Sequence, residues 1–181
     1  YKIYFENSND ADFITGDLKP DYINYFSSNK VENWRSNVKK YGEISYKNIY
    51  DGIDVKYYSL NNTLKYDIIV KPGANTDQIK LRYEGVSSIE ENNGEIIIKT
   101  TMGVIKEGSA YAYQIDGNDT ITIPCKYNLK DSVLSFKIKQ YDKTKQLIID
   151  PSLIFSTYTG STSDNWGFTA TYDYSDNVYS G

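Results

Sequence analysis

Apolar and charged residues alternate along most of this chain with a period of two. In Ile53-Asp54-Val55-Lys56-Tyr57 each apolar residue is followed by a charged one, and Leu64-Lys65-Tyr66-Asp67-Ile68-Ile69-Val70 sets Leu64, Tyr66, Ile68 and Val70 on one face. Such alternation marks a strand with one face in a core and the other in water. The same signal recurs at Ile79-Lys80-Leu81-Arg82-Tyr83 and Glu95-Ile96-Ile97-Ile98-Lys99. Further strands are expected at residues 103–106, 110–115, 121–129, 133–139 and 146–149.

Turn chemistry falls between these runs. Asn61-Asn62, Asn92-Asn93-Gly94, Asp116-Gly117 and Lys130-Asp131 sit where hairpins need positive φ, and Pro72-Gly73 stops a strand. Pro124 interrupts one run and calls for an edge strand or a bulge, because proline cannot donate to a ladder. Many short strands without a helical period specify an all-β, antiparallel sandwich-like domain. Its expected interior is Leu64, Tyr66, Ile68, Ile79, Leu81, Tyr83, Leu134, Phe136 and Ile138. Residues 20–40 fit neither period cleanly; Tyr22-Ile23-Asn24-Tyr25-Phe26 and Val31-Glu32-Asn33-Trp34 read as an ordered connection anchored by Trp34.

After Asp150-Pro151 the texture changes. The Lys- and Ile-rich runs give way to Thr157-Tyr158-Thr159-Gly160-Ser161-Thr162-Ser163-Asp164, which places a domain boundary near 150–153. Two units follow: residues 1–150 as the antiparallel β-domain, and residues 151–181 as a second unit with its own strand–turn–strand pattern.

Composition adds limits. The 181 residues are 39% hydrophobic and 24% charged, enough apolar surface for a real core and too mixed for a disordered chain. The 20 Lys and Arg are interspersed with 24 acids, so no basic patch argues for nucleic acid. No run approaches the ~18 apolar residues that cross a bilayer as a helix. Tyr1-Lys2-Ile3-Tyr4-Phe5 reads as a strand and not as a leader, implying a start inside a larger protein or after processing.

Histidine is absent, which removes Ser-His-Asp and Cys-His nucleophiles and His-ligated metals. The lone Cys125, in a strand-like run, reads as a buried, inert thiol. Carboxylates are the catalytic groups left. Asp51 and Asp54 read instead as turn chemistry and the polar face of a strand, and Glu90 and Glu91 as solvated residues beside a turn. The Asp/Asn clusters at 7–12 and 173–177 lack the spacing of a calcium loop. No catalytic residue, metal or cofactor is assigned. The surplus of aromatics, 19 Tyr with Trp34 and Trp166, leaves a sugar-stacking platform open.

From Leu153 the chain resembles a known family. Phe155-Ser156-Thr157-Tyr158-Thr159-Gly160-Ser161, Asp164-Asn165-Trp166-Gly167 and Asp176-Asn177-Val178-Tyr179-Ser180-Gly181 are similar to the first SBBP-type β-propeller repeat of Bacteroidetes surface proteins. Ser161 stands where the family has a second Gly, and Asp176 where it has the Gly before Asn. Upstream, Tyr50-Asp51-Gly52-Ile53-Asp54, Leu64-Lys65-Tyr66-Asp67, Lys71-Pro72-Gly73-Ala74 and Leu147-Ile148-Ile149-Asp150-Pro151 resemble the uncharacterised β-domain that precedes those repeats. Asp119-Thr120-Ile121 and Asp131-Ser132-Val133 are similar to the O-glycosylation triplets of the same phylum.

The resemblance implies the start of a β-propeller-type repeat behind the first domain, with Asp164, Trp166, Gly167 and Asn177 as its structural motif. It also implies a non-enzymatic structural or adhesive module of a secreted cell-surface protein. Export by type IX secretion and a link to gliding motility come with it. The partners would be other domains of the same chain or other surface proteins. The alternative is a carbohydrate-binding module of a glycan-processing protein, with glycans as the partner.

Overall fold

The computed structural model describes residues 1–26, 28–60, 63–101, 103–154, 170–172 and 178–180. In chain order its strands are β1 (Lys2–Phe5), β2 (Asp12–Tyr25), β3 (Arg35–Tyr50), β4 (Ile53–Leu60), β5 (Thr63–Val70), β6 (Leu81–Glu84), β7 (Ser88–Asn92) and β8 (Glu95–Thr100). Then come β9 (Gly103–Asp116), β10 (Asp119–Ile123), β11 (Cys125–Lys130), β12 (Val133–Ile138), β13 (Leu147–Ile154), β14 (Ala170–Tyr172) and β15 (Val178–Ser180). Two single 3-10 turns, Val31–Asn33 and Thr76–Gln78, are the helical elements among the described residues.

A four-stranded sheet, β1-β6-β12-β11, faces a larger one in the order β2-β3-β4-β5-β13-β9-β8-β7, with β10 also paired to β9. All pairings are antiparallel and neither sheet closes into a barrel, so the all-β, sandwich-like expectation holds. The alternation read in the sequence supplies the filling. Ile53, Val55, Ile68, Val70, Ile96, Ile98, Leu147 and Ile149 of the larger sheet meet Leu81, Tyr83, Tyr127, Leu134 and Phe136 of the smaller.

Asn93 (φ 52°) and Gly94 (φ 88°) make the two-residue loop between β7 and β8; Asp131 (φ 50°) and Ser132 (φ 60°) do the same between β11 and β12. Both are the left-handed pair that a tight hairpin requires. Pro124 is the corner at which the chain leaves the larger sheet and enters the smaller, so the single strand expected over 121–129 is two strands in two sheets.

Three other expectations change. Residues 20–40 are ordered, but not as a connection between elements. They are the distal half of a hairpin formed by β2 and β3, closed by the turn at Val31–Asn33. Because β4 pairs with β3 only over residues 43–50, the ribbon beyond Glu43 has no strand on either side among the described residues and projects by roughly 25 Å at ~3.3 Å per residue. Leu64 lies on the inward face as expected, yet it is 45% exposed, because the smaller sheet does not reach it. Finally, β13 does not stop at Asp150-Pro151. It continues to Ile154 through a register shift, pairing Leu153 with Glu107.

β14 and β15 pair antiparallel, Ala170 with Ser180, as a two-stranded sheet of their own. The repeat residues Asp164, Trp166, Gly167 and Asn177 lie outside the described residues.

Candidate functional site

The Tyr50-Asp51-Gly52-Ile53-Asp54 run is explained by a knot in the backbone. Tyr46 pairs with Val55 and Tyr50 with Ile53, so β3 carries two more residues than β4 across this step. Asn48 takes φ 56° in the bulge and works in three directions. Its N–H donates to Asp54 Oδ1 at 2.8 Å, its Oδ1 accepts from Gly52 N–H at 3.0 Å, and its carbonyl accepts from Asn9 Nδ2 at 3.0 Å. Lys71 and Lys47 complete the shell of Asp54 at 2.9 and 3.3 Å. Burial pushes the Asp54 pKa up, but the Asn48 N–H and the two ammonium groups outweigh it and hold the carboxyl below its ordinary range. Asp54 lies between the inward Ile53 and Val55 and so keeps to the outer face of β4 as expected, but it is buried there as a structural anion bonded to the β3 bulge and two lysines. Gly52 sits at φ 73° with room for no side chain: a Cβ there would stand 2.8 Å from the Ala74 Cβ.

A second buried carboxyl lies at the centre of the sandwich. Between Ala110 and Glu107, β9 holds one more residue than β13 does between Pro151 and Leu153. This bulge switches the inward parity of β9, so Ala112 and Gln114 point inward on one side of it and Glu107 on the other. Tyr83 donates its hydroxyl to Glu107 Oε1 at 2.9 Å and Tyr66 donates to Oε2 at 3.4 Å. No cation stands beside it among the described residues. Burial raises the Glu107 pKa, and the two tyrosine bonds only partly offset that. The sequence signal for this site is the break in alternation at Glu107-Gly108, which the period-two reading did not exploit.

From Glu107 a row of aromatic rings runs outward on the same face. Tyr66 packs on Tyr57 with ring centroids 5.8 Å apart, Tyr57 on Tyr46 at 6.1 Å, and Tyr46 on Phe13 at 6.4 Å. Burial, with Tyr46 and Glu107 nearby, pushes the Tyr57 hydroxyl up to about 12, so it stays protonated. Phe13, at the outer end of the row, is 66% exposed.

Phe13 is the first of a series of exposed apolar residues on β2 and β3. Of the nineteen exposed large apolar residues described, eleven lie on β2, β3 and the turn between them: Phe13, Ile14, Leu18, Tyr22, Ile23, Tyr25, Phe26, Val31, Trp34, Tyr41 and Ile44. The arm is ordered by local bonds. Trp34 donates its indole N–H to the Ser28 carbonyl at 2.7 Å and meets Phe26 edge to face at 5.2 Å. Trp34 thus anchors the tip of the hairpin. Asp17 (φ 52°) bulges over Gly42, where any side chain would strike the Asp17 carboxylate.

The remaining candidates take structural places. Asp51 accepts from Asn9 Nδ2 at 3.1 Å, Glu90 pairs with Lys99 at 2.7 Å, and Glu91 accepts from Gly94 N–H at 2.7 Å. Among the described residues no three His, Cys, Asp or Glu gather as metal ligands. In the 7–12 cluster, Asn9 is committed to the β3 bulge, and the 173–177 cluster lies outside the described residues, as does Trp166. Cys125 is half-buried, and burial pushes its thiol up to about 11. Thr120 and Ser132 of the two triplets are on exposed residues. No helix among the described residues is long and apolar enough to cross a membrane.

No curated protein and no solved structure matches the chain. Residues 1–152 match the model of a family described as a domain of unknown function, DUF7948. That match spans the two sheets, both buried carboxyls and the arm, and by it the chain belongs to the DUF7948 family.

Proposed function

We propose that this chain is a non-enzymatic adhesive module of a secreted bacterial surface protein, and that the β2–β3 arm makes its contacts. The observation that carries the reading is the concentration of exposed apolar residues on that arm. Exposed apolar residues gathered this densely on one element of a folded domain mark a place where something docks. Aromatic anchors such as Phe26 and Trp34, already fixed against each other, lose little freedom on binding. The buried carboxyls support the same reading: Asp54 is saturated with donors, and Glu107 faces tyrosines inside the core. Export by type IX secretion and a role in gliding rest on the sequence resemblance of the repeat region.

The test is to coat beads with the protein and measure their retention on cells of the producing bacterium. A Phe13→Ser/Leu18→Ser/Phe26→Ser variant should lose retention by about a hundredfold or more, since three interface anchors at ~1–2 kcal/mol each are removed. Its core melting transition should stay in place. Equal retention of the variant would overturn the reading.

A second reading has its own observation. Tyr111 and Tyr113 stack at 5.5 Å on β9, and Tyr111 is exposed, as a platform for a sugar ring would be. Glycan-array binding that disappears in Tyr111→Ala but survives the arm variant would favour this carbohydrate-binding alternative.

A further inference from the structure

Among the described residues the smaller sheet stops at β1, which has a single strand neighbour, β6. Glu6 N–H donates to the Lys80 carbonyl directly opposite it, at 2.9 Å. Antiparallel ladders alternate, so the main-chain groups of Lys2 and Tyr4 also point at β6, while those of Ile3 and Phe5 point away, along the open edge. Below that edge the larger sheet runs on through β4 and β3, and no strand among the described residues covers it. The space between is an apolar cleft of about 440 Å³ lined by Ile3, Phe5, Ile44, Tyr46, Tyr57 and Leu64.

We propose that this cleft accepts one extended peptide strand, which pairs antiparallel with β1 and inserts apolar side chains at alternate positions. The two halves of the site dictate the ligand. A row of unpaired N–H and C=O groups is matched by another strand and not by a helix, whose main chain is already bonded. Residues of the incoming strand opposite Ile3 and Phe5 share their inward face and fill the cleft, so they must be apolar.

Residues opposite Lys2 and Glu6 face outward, and the charges there call for an acid and a base. Lys2 makes no ion pair among those described, and Glu6 is paired with Arg82. Read in its own direction, the incoming strand is basic–apolar–any–apolar–acidic. Residues 2–6, Lys-Ile-Tyr-Phe-Glu, satisfy this pattern themselves and provide a probe. A whole second copy paired through β1 fits less well. The two-fold axis would place both larger sheets on the same side, with their overhanging strands in one space. The strand site does not depend on the arm being an adhesive contact.

The probe is tethered to overcome the weak affinity of a five-residue strand. Lys-Ile-Tyr-Phe-Glu is joined ahead of Tyr1 of the full chain by a short Gly-Ser linker, which sets a local concentration in the ~mM range. Lys-Ser-Tyr-Ser-Glu in the same place is the control, and Ile44→Lys/Leu64→Lys blocks the cleft from exposed positions. Amide hydrogen exchange and melting temperature are measured.

In the untethered chain, Tyr4 and Glu6 should be protected and Ile3 and Phe5 should exchange freely. The apolar tether should slow Ile3 and Phe5 by about tenfold or more and raise the melting temperature by about 2–4 °C. The serine tether and the Ile44→Lys/Leu64→Lys chain should show neither effect. Equal protection by both tethers, or none by either, overturns the proposal. So does protection of Ile3 and Phe5 in the untethered chain: rising with protein concentration it assigns the edge to a second copy, and independent of concentration it shows that the edge is not free.

Discussion

Tyr83→Phe removes one hydroxyl from the core and leaves ring and volume in place, so its cost isolates the bond to Glu107. That bond is 2.9 Å long, buried, and made to a carboxyl with no cation beside it. A hydrogen bond to an ionised group is worth about 1.5–3 kcal/mol and one to a neutral group about 0.5–1.5. The loss should therefore depend on the charge of Glu107. Burial raises its folded pKa above the unfolded one, so the native state holds the proton longer.

Stability from this group is then full below the unfolded value of ~4.3 and falls as pH rises through the folded value. Deleting the Tyr83 bond raises the folded value further and steepens that fall. Urea unfolding followed by far-UV circular dichroism should give a wild-type-minus-variant gap of about 0.5–1.5 kcal/mol near pH 4 and about 1.5–3 at pH 8. Glu107→Gln should flatten the same pH dependence. A gap that is constant or shrinks as pH rises would refute the role given to this pair.

Asp54→Asn should cost about 1–3 kcal/mol at pH 7, because charge-assisted bonds to Lys71 and the Asn48 N–H are weakened. With the folded pKa depressed, this contribution is present above the unfolded value of ~3.9 and lost as pH falls through the folded one, so the gap should close in acid unfolding titrations. Gly52→Ala should destabilise by about 1–3 kcal/mol, since it combines a left-handed φ with a collision against Ala74, and Ala74→Gly should restore only the part due to contact. At pH 8 the Cys125 thiol, pushed up to about 11, should react with a disulfide reagent about a hundredfold more slowly in the folded than in the urea-unfolded chain.

The strands were legible because most of this molecule has one wet and one dry face. Where that holds, as in Tyr66, Ile68, Leu81 and Leu134, alternation located the buried side chain. Leu64 has the right parity but lies beyond the edge of the smaller sheet, and no pattern within one strand reports where its opposite sheet ends. Residues 20–40 defeated the reading for a related reason: a ribbon exposed on both faces has no reason to alternate, and its bulges at Asp17–Asp21 and Asn37 break the period further. Asp54 and Glu107 were hidden by bulges as well. The extra residues of β3 bury Asp54 on the outer face where its parity puts it, whereas the inserted residue of β9 shifts parity so that Glu107 faces inward. The Tyr50-to-Asp54 motif was visible as a pattern, but the reason for it, a bulge closed by Asn48 and Asp54, exists only across two strands and the Asn9 segment.

The most direct test of the proposed contact role is site-specific photocrosslinking on the intact protein in the cells that make it. A benzophenone amino acid replaces Leu18 or Phe26 on the arm in one set, and exposed Lys137 on the smaller sheet in the other. The arm positions should yield discrete covalent adducts with another surface macromolecule, and Lys137 should yield none. Absence of adducts from the arm, or the same adducts from all three positions, would contradict the claim that β2 and β3 carry the contact.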